Sequence, residues 1–153
     1  MTEAKRHHDG HDEDDGHDEF IFKMRVPSPL SEDVERIITR VIDCAMTVHR
    51  QLDPGFLESI YQRAMSIELS RSGVPYEQEK RINVVYQGVL IPGQRVDLVV
   101  AECVIVELKS VERFDEAHRA QVISYLRTMG LRAGLLINFR VPLLYQGIKR
   151  IVL

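Results

Sequence analysis

The sequence has no tryptophan, only two cysteines among 153 residues, and no apolar run near the roughly 20 residues that span a bilayer. Two cysteines cannot build a disulfide scaffold or a four-thiolate zinc site, and Cys44 and Cys103 lie in apolar stretches where buried thiols are common. The acidic, polar N-terminus is unlike a secretory signal peptide. These absences exclude the disulfide-rich and membrane-spanning classes and predict a cytoplasmic protein with no membrane partner.

The net charge of −3 conceals two regions of opposite sign. Residues 1–19 hold eight carboxylates, two cations and four of the six histidines, for a net charge of −6, whereas residues 20–153 carry +3. Such a polar segment cannot bury enough apolar surface to offset its ordering entropy, and residues 1–26 are therefore predicted to form a disordered tail. The tail is either a solvated acidic leader or a segment that binds nickel, zinc or copper. Its histidines are His7, His8, His11 and His17.

Residues 27–153 have the size of a single domain, because one core serves chains below roughly 250 residues. Ser31 is a good cap for a first helix, and the turn at residues 53–55 separates it from a second. From residue 78 the apolar period changes to two, which is typical of strands. The pattern predicts helices over 32–52, 56–72 and 114–129 and strands over 78–86, 89–91, 95–100, 104–108, 134–139 and 148–153. This order predicts an α/β or α+β fold with a mixed central β-sheet flanked by helices.

Three charged residues interrupt strands that are otherwise apolar. Glu107 and Lys109 are two residues apart and therefore project from one face, and a hairpin loop over 101–103 would place Asp97 opposite Glu107. Carboxylates buried together repel each other unless a cation neutralises them, and Mg²⁺ prefers oxygen ligands. The pattern predicts a metal-dependent site. The alternative is a salt bridge from Lys109 to Asp97 or Glu107 on a solvated sheet face.

Polar residues on two helices extend this predicted site. In the third helix, His118, Gln121 and Tyr125 share the apolar stripe that should face the sheet. In the second helix, Glu58 and Tyr61 lie one turn apart. The simpler interpretations are a satisfied core histidine at His118 and a helix-dipole contact at Glu58.

The segment Gly55-Phe-Leu-Glu58-Ser-Ile-Tyr61 resembles the pattern of the GxxExxY protein family, a branch of the PD-(D/E)XK nuclease superfamily. Asp97 followed by Glu107-Leu108-Lys109 resembles the D…ExK motif of that superfamily, and residues 121–125 resemble its QxxxY motif. The resemblance covers about residues 31–153 and implies a restriction-endonuclease-like core. It implies metal ligands at Asp97, Glu107 and the backbone carbonyl of Leu108, and an additional ligand or metal-water anchor at Glu58. It also implies a catalytic cation at Lys109 and positioning roles for Gln121 and Tyr125.

The leading functional hypothesis is a Mg²⁺- or Mn²⁺-dependent phosphodiesterase acting on DNA, with RNA the less favoured substrate. The alternative is a non-catalytic binding or assembly module that keeps the nuclease fold and self-associates as a homo-oligomer. A body charge of +3 predicts modest attraction to phosphate backbones. The acidic tail is expected to compete with nucleic acid for the cleft, so deleting residues 1–19 would tighten binding.

Overall fold

The computed structural model describes residues 28–153, so the predicted tail and its four histidines lie outside the described residues. No helix within residues 28–153 is long and apolar enough to cross a membrane. The elements are helices α1 (Glu32–Leu52), α2 (Glu58–Arg71) and α3 (Glu116–Met129), strands β1 (Tyr76–Tyr86), β2 (Val89–Val100), β3 (Val104–Lys109), β4 (Ala133–Asn138) and β5 (Ile148–Val152), and a 3₁₀ turn (Leu144–Gly147) that the periodicity did not predict.

Local side-chain contacts set where the helices begin. The Ser31 hydroxyl accepts a hydrogen bond from the Val34 N–H at the start of α1, as its capping role predicts. At the start of α3, Asp115 and His118 form a capping box, so the helix begins at Glu116, two residues later than predicted. Helix α2 also begins two residues later than predicted, at Glu58. Both shifts matter because they place Glu58 and His118 in first turns.

The five strands form one sheet in the order β1-β2-β3-β4-β5. Strands β3 and β4 are parallel, because α3 connects them, and the other neighbours are antiparallel. The predicted mixed sheet flanked by helices is therefore confirmed. Helices α1 and α2 cover one face and α3 covers the other. Since Leu108 packs on the α1–α2 side and Ile105 on the α3 side, Glu107 and Lys109 project towards α3.

Strand β2 is one continuous strand, so the prediction of separate strands over 89–91 and 95–100 was wrong. Ile82 pairs with Gln94 whereas Val84 pairs with Ile91, which leaves one extra residue on β2 between the two pairs. This β-bulge accommodates Pro92-Gly93: the proline has no N–H for the ladder, and Gly93 adopts a φ of 124°. The Pro-Gly pair bends β2 without ending it.

Candidate active site

Asp97 on β2 and Glu107 on β3 hold the two strands together where their backbone ladder stops. The last paired residues of the ladder are Leu98 and Val106. Beyond them, the Asp97 N–H donates to Glu107 Oε1 at 2.9 Å, and the Leu108 N–H donates to Asp97 Oδ2 at 2.8 Å. Carboxylate oxygens thus take the place of backbone carbonyls as acceptors. Asp97 Oδ1 and Glu107 Oε2 are left to face other partners.

The Asp97–Glu107 pair lies on a covered face of the sheet, with Glu107 buried and Asp97 half-buried. Glu107 is 3% exposed. Burial, and then the neighbouring Asp97, raise the pKa of Glu107 to about 8. Burial also raises the pKa of Asp97, although the Leu108 N–H and Lys109 act in the opposite direction. The acids therefore lie on a buried face, not on the solvated face that a surface salt bridge requires.

Lys109 lies beside the pair, but it makes only a loose ion pair. Its Nζ is 4.0 Å from Glu107 Oε2 and donates a hydrogen bond to Gln121 Oε1 at 3.4 Å. Tyr125, one turn further along α3, is 2% exposed, and burial followed by Glu107 raises the pKa of its hydroxyl. The structure therefore brings Lys109, Gln121 and Tyr125 to the same buried patch as the two acids. One ammonium group there faces two carboxylates.

Glu58 and His118 lie at the edge of this patch, in the first turns of α2 and α3. Burial, and then Asp97, raise the pKa of Glu58, while Lys109 and His118 act to lower it. The ring Nδ1 of His118 accepts the Asp115 N–H at 3.2 Å as part of the capping box. His118 is thus a half-buried helix-cap residue near Glu58, and it is not buried in the core.

Tyr61, predicted as an accessory site residue, is placed in the core by the structure. Its side chain is fully buried, and its ring stacks on Phe139 with 4.5 Å between centroids. The Tyr61 hydroxyl donates to the Asp53 carbonyl at 2.5 Å and accepts the Phe56 N–H at 3.2 Å. The residue fixes the turn that leads into Glu58, so it acts on the patch only by positioning the start of α2.

Replacing Tyr61 with phenylalanine should lower the free energy of unfolding by about 1–3 kcal/mol, because two hydrogen bonds from partly buried backbone groups are lost. Urea unfolding measures this loss. The matched control is Tyr76→Phe, which removes a hydroxyl bonded to Ser70 at an exposed position and should cost roughly 0.5 kcal/mol or less. Equal losses in the two variants would contradict the positioning role of Tyr61.

A polar clamp behind Lys109, formed by Asn138 and Ser110, was missed by the sequence reasoning. Asn138 is 2% exposed; its Oδ1 accepts the Val111 N–H at 3.1 Å, and its Nδ2 donates to the Val111 carbonyl at 2.8 Å. The Ser110 hydroxyl donates to the Phe56 carbonyl at 2.9 Å. These bonds fix the chain directly after Lys109 and tie it to the start of α2. The sequence feature that could have revealed the clamp is Asn138, a polar residue at the end of the otherwise apolar strand β4.

The arrangement suits a hydrated divalent cation better than a closed metal cage. Within residues 28–153, no group of three or more His, Cys, Asp and Glu side chains is arranged to hold a metal. The role of Glu58 as an additional metal ligand stays a prediction. Mg²⁺, however, keeps several waters and is commonly held by one or two carboxylates. Burial, and then the charge of Asp97, raise the pKa of Glu107, and a divalent cation beside it would favour the ionised carboxylate.

In a comparison with protein families, residues 35–151 match the PD-(D/E)XK nuclease superfamily. The matched region includes all the predicted site residues. No curated protein and no solved structure matches the chain significantly. Because the family match covers most of the chain and agrees with the mixed sheet and its flanking helices, this protein belongs to the PD-(D/E)XK nuclease superfamily.

Proposed function

We propose that this protein is a Mg²⁺- or Mn²⁺-dependent nuclease that hydrolyses phosphodiester bonds, in DNA in preference to RNA, in the cytoplasm. Membership of the superfamily implies metal-dependent nuclease chemistry on nucleic acid in general. The observation that carries the proposal is the pair of half-buried Asp97 and buried Glu107, with Lys109 Nζ 4.0 Å from Glu107 Oε2. Assignment to the GxxExxY branch is part of the proposal and rests on Gly55, Glu58 and Tyr61.

Asp97 and Glu107 are the residues proposed to hold the cation. Each offers one oxygen that the strand-to-strand hydrogen bonds do not use, and the resemblance to the superfamily adds the backbone carbonyl of Leu108. When bound, the cation supplies a Lewis acid for the scissile phosphate and promotes ionisation of a water. Glu58, at the edge of the patch, is suited to anchoring waters around the cation.

Lys109 is proposed to stabilise the negative charge that develops on the phosphate in the transition state. An ammonium group held in a buried site acts more strongly on such charge than one in water. Gln121 keeps the ammonium in place by accepting its hydrogen bond at 3.4 Å. Tyr125, which is almost fully buried and interacts with Gln121, is proposed to keep bulk water away from this pair.

Cleavage assays with the purified protein test the proposal. Labelled single-stranded and double-stranded DNA and RNA would be incubated with Mg²⁺, with Mn²⁺ and with excess chelator. We expect cutting only when metal is present, and faster cutting of DNA than of RNA. Wild-type protein that is inert on every substrate, or cutting that survives the chelator, would contradict the proposal.

A non-catalytic nuclease-fold module that self-associates is the second candidate. The observation in its favour is the set of exposed apolar side chains at the tip of the β1–β2 hairpin, where Val85 and Tyr86 are each 64% exposed. A stable oligomer with no metal-dependent cleavage would favour this candidate over the nuclease.

A further inference from the structure

The β1–β2 hairpin extends beyond the rest of the sheet as a two-stranded ribbon. Strand β2 pairs with β3 only over Leu98–Val100, so the tip of the hairpin has no third strand beside it. Every residue from 83 to 95 is exposed. We call residues 83–94 the arm.

The arm is uncharged and apolar on both faces. It contains no Asp, Glu, Lys or Arg. The register pairs Val84 with Ile91, Val85 with Leu90, and Tyr86 with Val89. Because successive pairs project to opposite sides of a ribbon, neither face is polar. These six side chains are between 38% and 64% exposed, and a ribbon of this kind is marginally stable and prone to aggregation when nothing covers it.

The chemistry of the arm fits a protein surface better than a nucleic-acid backbone. Attraction to phosphates depends on lysine and arginine, and the arm has neither. Arg81 and Arg95, which face each other across the ribbon, lie at its base and not on the arm. The complementary partner of the arm is therefore an apolar surface of similar size.

A second uncovered apolar surface lies on α2 and the turn before it. Leu57 is 76% exposed, and Phe56, Ile60 and Ile67 are each 45–47% exposed. The spacing of 57, 60 and 67 places these residues on one face of a helix. We call these four residues the α2 stripe. One chain thus carries a protruding ribbon and a helical face whose apolar side chains are largely uncovered within residues 28–153, although the Phe56 ring makes an edge contact with Tyr61 at 6.2 Å between centroids.

We propose that the protein forms a two-fold symmetric homodimer in which the arm of each protomer packs on the α2 stripe of its partner. A two-fold axis makes the contact reciprocal, so one arrangement engages the stripe and one side of the arm on both chains. With one side of the ribbon packed on the stripe, the exposed apolar residues contribute roughly 600–750 Å² per protomer, so reciprocal contact would bury about 1,200–1,500 Å² in total, within the range of about 1,200–2,000 Å² for specific interfaces. Contact between the two arms alone would bury much less.

The mass in solution, measured by sedimentation or light scattering, is the first test. Wild-type protein should have twice the 17.6 kDa mass of the chain at micromolar concentration. Leu90→Lys in the arm and Leu57→Glu in the stripe should each raise the dissociation constant at least about 100-fold, because each buries an unpaired charge. Leu143→Lys is the control, since Leu143 is 50% exposed but lies outside both surfaces, and it should stay dimeric.

Mixing the two monomeric variants tests the reciprocal arrangement. One contact in the mixed dimer is unmodified, and the other sets the lysine introduced in the arm of one chain against the glutamate introduced in the stripe of its partner. These opposite charges neutralise each other, so we expect a heterodimer to form. Failure of this mixture to associate, or a monomeric wild type, would overturn the proposal.

Repeating the mass measurement with added DNA tests whether the arm binds nucleic acid instead of protein. If wild-type protein dimerised only when DNA was added, and the Val85→Ser variant bound DNA more weakly than wild type, the arm would be assigned to nucleic acid. That result would also overturn the proposal. Dimerisation without DNA, and DNA affinity unchanged in Val85→Ser, are the expected results. The mass measurement needs no cleavage, so it stands or falls separately from the proposed nuclease activity.

Discussion

Replacing Glu107 with glutamine should make the metal-free protein more stable at pH 8, by on the order of 3 kcal/mol, while it removes the metal response. Glutamine keeps the oxygen that accepts the Asp97 N–H, so the contact between β2 and β3 survives. The substitution removes the buried charge that Asp97 opposes. The gain in stability would come directly from a residue proposed to hold the cation, as expected where function requires an unfavourable arrangement of charges.

The direction of the stability change follows from how the free energy of unfolding depends on pH. The pKa of Glu107 rises from an ordinary value of about 4.5 to about 8 in the folded protein. Between these two values the folded chain holds a proton that the unfolded chain has lost, so this group makes stability fall as pH rises. The contribution is complete below about pH 4.5 and is lost through pH 8. Wild type and Glu107→Gln should therefore be similar in acid and diverge towards pH 9.

Urea unfolding at several pH values, with chelator present, measures the divergence. Glu112→Gln is the matched control, because Glu112 is exposed in the segment after β3. The control should follow the wild-type curve. A constant difference between wild type and Glu107→Gln from pH 5 to pH 9 would show that Glu107 is not the titrating group.

Adding Mg²⁺ should reverse the order of the two proteins at pH 8. A cation that binds only the folded state stabilises it, by about 4.1 kcal/mol at one thousand times the dissociation constant, which exceeds the expected difference between the two proteins. Binding should also release protons, since Glu107 must ionise to act as a ligand. Glu107→Gln should show neither effect. Calorimetry in buffers of different ionisation enthalpy would detect the released protons, and binding without release would contradict the assignment of Glu107 as a ligand.

Replacing Lys109 with methionine should lower the rate of metal-dependent cleavage by about 10²–10³-fold with little loss of fold, since methionine has a similar length. The lysine ammonium lies beside Glu107 Oε2, and among the described residues no other side chain of the patch supplies a permanent positive charge there. Alanine at the same position should give a comparable loss. Lys149→Met, a change at an exposed position on β5, is the control and should keep full activity.

Two effects of Lys109 can be separated by pH. Lys109 also lowers the pKa of Glu107, so its loss should weaken metal binding near neutral pH. Raising the pH to 9 with saturating Mn²⁺ restores the ionised carboxylate in the variant. The deficit in kcat that remains under those conditions measures the action of Lys109 on the phosphate, and full recovery of the rate would reduce Lys109 to a residue that tunes the carboxylates.

Regular geometry explains what the sequence predicted well. Strand alternation places Glu107 and Lys109 on one face, and the loop at 101–103 brings Asp97 opposite Glu107, so the meeting of the three charges followed from residue spacing alone. The mixed sheet followed from the order of the periodic segments. The roles proposed for these residues rest on chemistry and resemblance, and the experiments above address them.

Other features depended on contacts that periodicity does not encode. Tyr61 has the spacing of a site residue, but its hydroxyl is bonded to a turn eight residues earlier. His118 lies on the predicted stripe, yet its Nδ1 belongs to a helix cap. Asn138 is remote in sequence from Val111, which it clamps. Pro92-Gly93 is a sequence typical of a turn, but in the structure it forms a β-bulge inside β2. Strand β2 continues through it because β1 pairs with β2 on both sides of the bulge.

The use of carboxylates to join β2 and β3 bears on how this site would change over evolutionary time. Asp97 and Glu107 accept the hydrogen bonds that continue the sheet beyond Leu98, so a lineage that abandoned cleavage would still need acceptors at both positions. The Lys109 side chain is not an acceptor for these backbone N–H groups, because an ammonium group can only donate. Retained acids would therefore be weak indicators that a relative is an active enzyme, and under the proposed mechanism the lysine is the position whose loss would record the end of selection for catalysis.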